Sequence, residues 1–430
     1  MVSPTPSLSL AKIDRLLLWR YIFAGLCASL VSIGLARFAF TPLIPELIQA
    51  HWFSASAVVY LGAANLAGYV LGALVGRSIA SRLANEHALR LMMVLICAAF
   101  FACAFPISFI WYFSWRVISG ISGGVVMVLV AATILPHVPP TKKGAAGGAI
   151  FLGLGLGIAG SGTIIPLLLD LGLRETWLGL GIVSLFLTAA SWFAWPASKL
   201  APAIDSHGAG KPHTVRFGSD VKLIYLQYAL MAGAAVPTMI FLVDFLARGL
   251  GQGTHIGSVY WAMYGVGAIA GPPLYGFLAD RLGPRLTIRL VTAAMTIVLI
   301  GFSLASELVT LGTLTVIIGT FAPGMVPLIL ARIHEVVPNN AMRQNVAWTR
   351  ASVISAAGLA ISAYGFSALF EATAGDHRLL FSVAAAMLMG VLILDLKRKS
   401  GNGSAPTTSR RSRMNVVGPH RSGGMTLRRR

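Results

Sequence analysis

Runs of about 20 apolar residues follow one another along nearly the whole chain, separated by short turns that hold most of the charged positions. A helix needs roughly 20 residues to cross about 30 Å of hydrocarbon. Twelve runs reach that length, at 21–48, 55–78, 88–109, 110–135, 145–169, 176–196, 220–247, 255–279, 286–306, 308–333, 345–370 and 378–396. The separations are thinnest near Pro106 and Glu307, where almost no polarity divides neighbouring runs.

Composition agrees with that pattern. Of 430 residues, 56% are hydrophobic and 11% charged, a balance that no soluble surface tolerates. The chain reads as an all-α integral membrane protein with twelve transmembrane helices. Charge then orients it. With the N-terminus inside, 27 of the 33 Lys and Arg fall in inner loops and tails, and Arg174, Arg248 and Arg378 fall outside. Such asymmetry places both termini in the cytoplasm. It also accounts for the net charge of +19 without a nucleic-acid partner. The first run is too long for a signal peptide and has no cleavage pattern, so it is expected to stay as a helix. Cys27, Cys97 and Cys103 lie within helices and suggest neither a disulfide nor a metal site.

The most polar internal stretch divides the chain into two six-helix bundles. The expected organisation is a cytoplasmic N-terminus at 1–20, bundles at 21–196 and 220–396, a linker at 197–219, and a disordered basic tail at 397–430. A shift of 199 residues superposes Gly68 on Gly267, Gly72 on Gly271, Arg82 on Arg281, Arg90 on Arg289, Gly120 on Gly319 and Pro139 on Pro338. A duplicated six-helix unit follows.

The clearest motif is Gly276-Phe-Leu-Ala-Asp280-Arg281-Leu-Gly283-Pro-Arg285. Here the chain resembles the major facilitator superfamily, whose inner loop after the second helix of each half carries Gly, then Asp-Arg, then Gly and a basic residue. The resemblance implies gating roles for Asp280, Arg281 and Arg285, with the carboxylate latching two helices on the cytoplasmic face. In the first half, Ser81-Arg82 stands where Asp-Arg is expected, which weakens that latch. Arg116, followed by Ser119, Gly120, Gly123 and Gly124, is similar to the fourth helix of proton-coupled members; snorkelling to the outer interface is the alternative. The fifth run has Gly153, Gly155, Gly157, Gly160 and Gly162 but lacks the Gly-Pro step of exporters. The run from Arg37 to Pro45, with Asn65 to Tyr69, resembles the YbfB/YjiJ-type branch of bacterial major facilitators. That branch implies the bacterial inner membrane and a monomer, and brings no firm substrate.

Arg37 cannot shed its proton, so within a bilayer it needs a partner or a watery cavity. Thr41 lies one turn away on the same face, and Asn65 and Tyr69 share a face of the second helix. Gln227, Tyr228, Tyr264, Trp348 and Arg350 add polar groups in the second half. The expected substrate-binding set is Arg37, Thr41, Asn65, Tyr69, Arg116, Gln227, Tyr228 and Tyr264. No carboxylate lies near the middle of any run, so a small organic anion, a carboxylate or sugar acid, would itself neutralise Arg37. No His lies near a run's centre, which leaves Glu46 and Asp244 as proton carriers only if burial raises their pKa. No phosphate-binding loop and no gathered metal or catalytic ligands are seen, so neither a cofactor nor an enzyme is expected. The reading is a secondary transporter working by alternating access; efflux of amphipathic compounds and a non-transporting sensor are the alternatives.

Overall fold

In hydrocarbon a backbone must satisfy its own hydrogen bonds, so each apolar run becomes a helix. The computed structural model describes residues 8–139, 143–196, 216–338 and 340–401, and among them no strand occurs. Twelve helical spans follow in order. The first, α1, is built from Leu8–Ser29, a π-helical turn Leu30–Leu35, Ala36–Phe38, a 3-10 turn Thr41–Leu43 and Ile44–Gln49. Then come α2 (Ala55–Ala80), α3 (Asn85–Cys103), α4 (Phe109–Ile134), α5 (Lys143–Leu169) and α6 (Leu173–Ser191). The second half opens with α7, a broken span of Ser219–Ala234, Val236–Ile240, Leu242–Asp244 and a π-helical turn Phe245–Gly249. It continues with α8 (Gly253–Leu282), α9 (Pro284–Leu304), α10 (Leu308–Gly319 and Phe321–Val336), α11 (Ala341–Ala372) and α12 (His377–Gly401).

Among the described residues, eleven spans are long and apolar enough to cross a membrane by length and composition. The other, α8, has the length at 30 residues, but its several glycines and tyrosines and its internal Pro272 and Pro273 lower its hydropathy. The thin separations at Pro106 and Glu307 are real breaks, since α3 ends at Cys103 and α9 at Leu304. The expected linker falls largely on 197–215 and the expected tail on 402–430, both outside the described residues. The last helix continues to Gly401, and the first begins at Leu8.

The repeat is visible in atomic contacts. A Cβ added at Gly68 would strike the carbonyl of Val117, and one at Gly267 the carbonyl of Val316. Gly72 meets Ile121 where Gly271 meets Thr320, and Gly120 meets Asn65 where Gly319 meets Tyr264. Each second-half contact is its first-half counterpart moved by 199 positions. Thus α2 crosses α4 as α8 crosses α10, backbone against backbone, which only glycine permits. Valine at Gly120 or Gly319 is expected to cost a similar 1–3 kcal/mol or so through overpacking, read as a lower unfolding temperature. Valine at Gly276, where an added Cβ would meet nothing within 4 Å, serves as the control.

Arg90 and Arg289 are a second matched pair. Arg90 Nε donates to Trp192 O at 3.0 Å, tying α3 to the end of α6. Arg289 pairs with the Asp395 carboxylate and so ties α9 to α12. Gly283 closes α8 and opens α9 in one residue at φ 82°, a conformation that suits glycine. In the first half Ala84 occupies that place at φ −55°, and α2 and α3 are joined through a longer turn.

Candidate functional site

The interruption of α1 is what builds the centre. Pro42 and Pro45 cannot donate to the helical ladder, and the π turn at Leu30–Leu35 adds a second irregularity upstream. Backbone carbonyls there are open to other donors. Arg116, on α4, takes one: its Nη1 donates to Ala36 O at 2.9 Å, and its Nε donates to Leu61 O on α2 at 3.3 Å. Its Cζ also lies 4.2 Å from the Phe40 ring centroid. Asn65 supports the arrangement by donating from Nδ2 to Ser119 Oγ at 2.8 Å and to Arg116 O at 3.3 Å. Arg116 is 3% exposed, and the void beside it measures about 10 Å³, room for one water at most. It is a clamp joining α1, α2 and α4, its charge shared among carbonyls and a ring.

Arg37, one residue beyond Ala36, is compensated differently. It is half-buried, its Nε is buried with no hydrogen-bond partner, and no carboxylate pairs with it among the described residues. Rings surround it instead. Its Cζ lies 5.2 Å from the centroid of Phe38 and 5.3 Å from that of Tyr69, both cation–π distances. Phe38 packs on Trp261 at 6.2 Å, and Trp261 stacks on Tyr264 at 5.0 Å with only 11° between ring planes. Tyr69 and Tyr264 are both within electrostatic reach of the guanidinium. The Tyr264 hydroxyl is buried without a hydrogen bond of ordinary geometry. Tyr228 lies within similar reach of Tyr69 and stacks on Trp348 at 6.4 Å.

Of the eight expected binding residues, the structure brings together Arg37, Tyr69, Tyr228 and Tyr264. The other four have different partners. Besides Arg116 and Asn65, Thr41 donates to Met239 O on α7 at 2.7 Å, and Gln227 Nε2 lies 3.5 Å from Asp395 Oδ1 on α12. Trp261 escaped the sequence reading, although it stands three residues before Tyr264 and shares its face.

The Thr41 bond is one of several that join the halves away from the termini. Trp261 Nε1 donates to Ser161 Oγ at 3.0 Å, and Tyr60 on α2 meets Tyr364 on α11 at 6.2 Å between centroids. The glycines of α5 divide between two neighbours. Gly153 faces α1 at Leu26 and Leu30 and Gly157 faces its π turn at Gly34, while Gly155 and Gly162 face α8 at Ile269 and Ala262. The end of the molecule remote from both termini is therefore closed.

At the opposite end the expected latch is not engaged. Asp280 is exposed and forms no ion pair among the described residues. Arg281 lies over Phe277, one turn back on its own helix, at 4.4 Å. Arg285 Nε stands 3.7 Å from Asp395 Oδ1, an ion pair without a hydrogen bond. Ser81 Oγ donates locally to Ser78 O at 2.9 Å, and Arg82 is exposed. The carboxylate that joins helices here is Asp395 on α12, in contact with Arg285, Arg289 and Gln227.

A further network, not foreseen from the sequence as a unit, lies at the closed end. Asp244 is fully buried; Arg248 donates to both of its oxygens, the Nη2 bond to Oδ2 measuring 2.6 Å. His377, at the start of α12, places Nε2 2.8 Å from Asp244 Oδ2. Both oxygens of the suggested proton carrier are thus already occupied. The spacing Asp244/Arg248 is an i, i+4 pair readable in the sequence, whereas His377 is 133 positions away.

Solved structures share this architecture. A D-xylose–proton symporter matches with a TM-score of 0.68 at 15% identity, covering 88% of this chain and 96% of its own. A bacterial homolog of the human lysosomal transporter Spinster, in an inward-facing and occupied conformation, matches with a TM-score of 0.69 at 14% identity, covering 92% and 98%. A point mutant of the nucleoside transporter NupG gives 0.71 at 10% identity, covering 89% and 99%. At such identities the likeness establishes the fold. Because residues 29–396 also match the family model described as the uncharacterised MFS-type transporter YbfB, the chain belongs to that family of major facilitator membrane transporters.

Proposed function

We propose that the protein carries a small organic anion across the bacterial inner membrane by alternating access, as a monomer with both termini in the cytoplasm. The observation that carries this reading is Arg37. A permanent cation sits beside the junction of the two halves with a buried, unbonded Nε and, among the described residues, no carboxylate to neutralise it. A bound anion supplies the missing charge and hydrogen-bond acceptors together. With the termini inside, the closed end is external, so the described conformation would receive or release substrate from the cytoplasm.

Replacing Arg37 by Gln tests the reading. A charge-assisted hydrogen bond contributes about 1.5–3 kcal/mol, so the variant is expected to bind its anion roughly 10- to 150-fold more weakly. The measurement is thermal stabilisation of purified protein by organic anions, followed by flux in proteoliposomes. Stabilisation by lipophilic cations instead, unchanged in the variant, would favour efflux of amphipathic compounds.

A further inference from the structure

Resting on the anion reading, we infer that the substrate is a flat aromatic carboxylate rather than a sugar acid or an aliphatic acid. Three observations lead there. First, among the described residues Arg37 Nε is buried without a hydrogen-bond partner, and the Tyr264 hydroxyl, within electrostatic reach of it, makes no hydrogen bond of ordinary geometry, its polar neighbour being Thr238. Arg37 Nε is a donor suited to a carboxylate, and the Tyr264 hydroxyl can turn from Thr238 to join it.

Second, the surroundings are rings. The guanidinium lies over the faces of Phe38 and Tyr69, and the Trp261–Tyr264 stack adjoins Phe38. A carboxylate bound bidentately by arginine lies in the guanidinium plane. In an aromatic acid the ring shares the plane of its carboxylate, so the ligand extends flat and meets neighbouring ring faces. Stacked and edge-to-face contacts then contribute beyond area burial. A chair-shaped sugar ring leaves that plane.

Third, the amide side chains suited to a sugar's hydroxyls are committed elsewhere. Asn65 donates to Ser119 and to the Arg116 carbonyl, and Gln227 is drawn towards Asp395 near the far end of α12. Tyrosine hydroxyls are the polar groups that remain, too few for all the hydroxyls of a sugar, and each hydroxyl left over would carry an unmet desolvation cost. An aromatic monocarboxylate has one polar group, and the site has one unpaired cation.

The probes are benzoate, cyclohexanecarboxylate and a hexuronate, titrated against the purified full chain and read by melting-temperature shift and by competition binding. Cyclohexanecarboxylate matches benzoate in charge and size and is the more hydrophobic, so preference for benzoate reports ring stacking and not apolar burial. The expected result is at least a tenfold tighter response to benzoate than to either of the others, lost in Arg37→Gln. Equal or tighter binding of cyclohexanecarboxylate would overturn the aromatic inference and leave the anion reading standing. So would tighter binding of the hexuronate. No response to any anion, or one unchanged in Arg37→Gln, would overturn both. Because the ligand panel is read on the unaltered protein, the ring preference is decided even if the variant does not fold.

Discussion

Asp244→Ala is expected to destabilise the protein by about 3–5 kcal/mol, the range for removing one partner of a buried ion pair. The carboxylate is fully buried and accepts from Arg248 Nε, from Arg248 Nη2 at 2.6 Å and from His377 Nε2 at 2.8 Å. It joins the π turn of α7 to the first residue of α12. Phe245 and Phe370 pack on the His377 ring at 5.8 and 4.9 Å, so the imidazole has little freedom to find another acceptor. The Arg248 side chain keeps 27% of its surface exposed and can be rehydrated in part, which favours the lower end of the range. Thermal unfolding in detergent measures the loss. Replacing Asp244 and Arg248 together by leucine removes the uncompensated charge as well, and should recover much of the stability. If the double variant unfolds at the same temperature as Asp244→Ala, loss of packing rather than of charge pairing is the cause.

The same physics explains what could be read along the chain and what could not. Twelve spans and a repeat were legible because each helix satisfies its own backbone, and because matched glycines mark backbone crossings. The offset of 199 found in a few landmarks recurs in the contacts Gly68–Val117 and Gly267–Val316. Arg37 and Arg116 looked alike in sequence, both cations within apolar runs. What separates them is the compensation each finds. Arg116 meets the carbonyls of Ala36 and Leu61, a supply that depends on where a broken α1 packs against α4. Pro42 and Pro45 signal the break and not the recipient. Likewise, Asn65 and Tyr69 share a face of α2, yet Asn65 hydrogen-bonds to α4 whereas Tyr69 flanks Arg37. Helical spacing shows which residues stand together, and the tertiary arrangement decides which of them have partners left over. The Asp280 motif was readable as a tight turn between α8 and α9, with Gly283 at positive φ as its structural reason. Its latch depends on which end of the molecule is closed, a property of conformation.

Closure itself is open to a direct experiment, and Gly162→Leu is expected to prevent it. At Gly162 a Cβ would come within 2.8 Å of both Ala262 Cα and Ser258 O on α8, and Gly265 in turn presses on the backbone of Ala159. The seam between α5 and α8 is backbone on backbone, and backbone cannot move aside as a flexible side chain can. Gly162 faces the opposite half, so each bundle can still fold while their approach is blocked. Overpacking of about 1–3 kcal/mol laid on the closed state alone lowers its population relative to the open one roughly 5- to 150-fold. Thr41 reports the result, because it is 3% exposed and bonded across the closed end to Met239 O at 2.7 Å. A cysteine at position 41 should be protected from a hydrophilic maleimide in the parent chain and react readily beside Gly162→Leu, with transport lost in parallel. The control is one half-turn away. Gly160 has only the tip of its own helix's Ile164 at 3.9 Å, so Gly160→Leu should leave the cysteine protected. Equal exposure in both variants would mean that leucine disturbs α5 wherever it is placed, and that the seam with α8 does not govern closure.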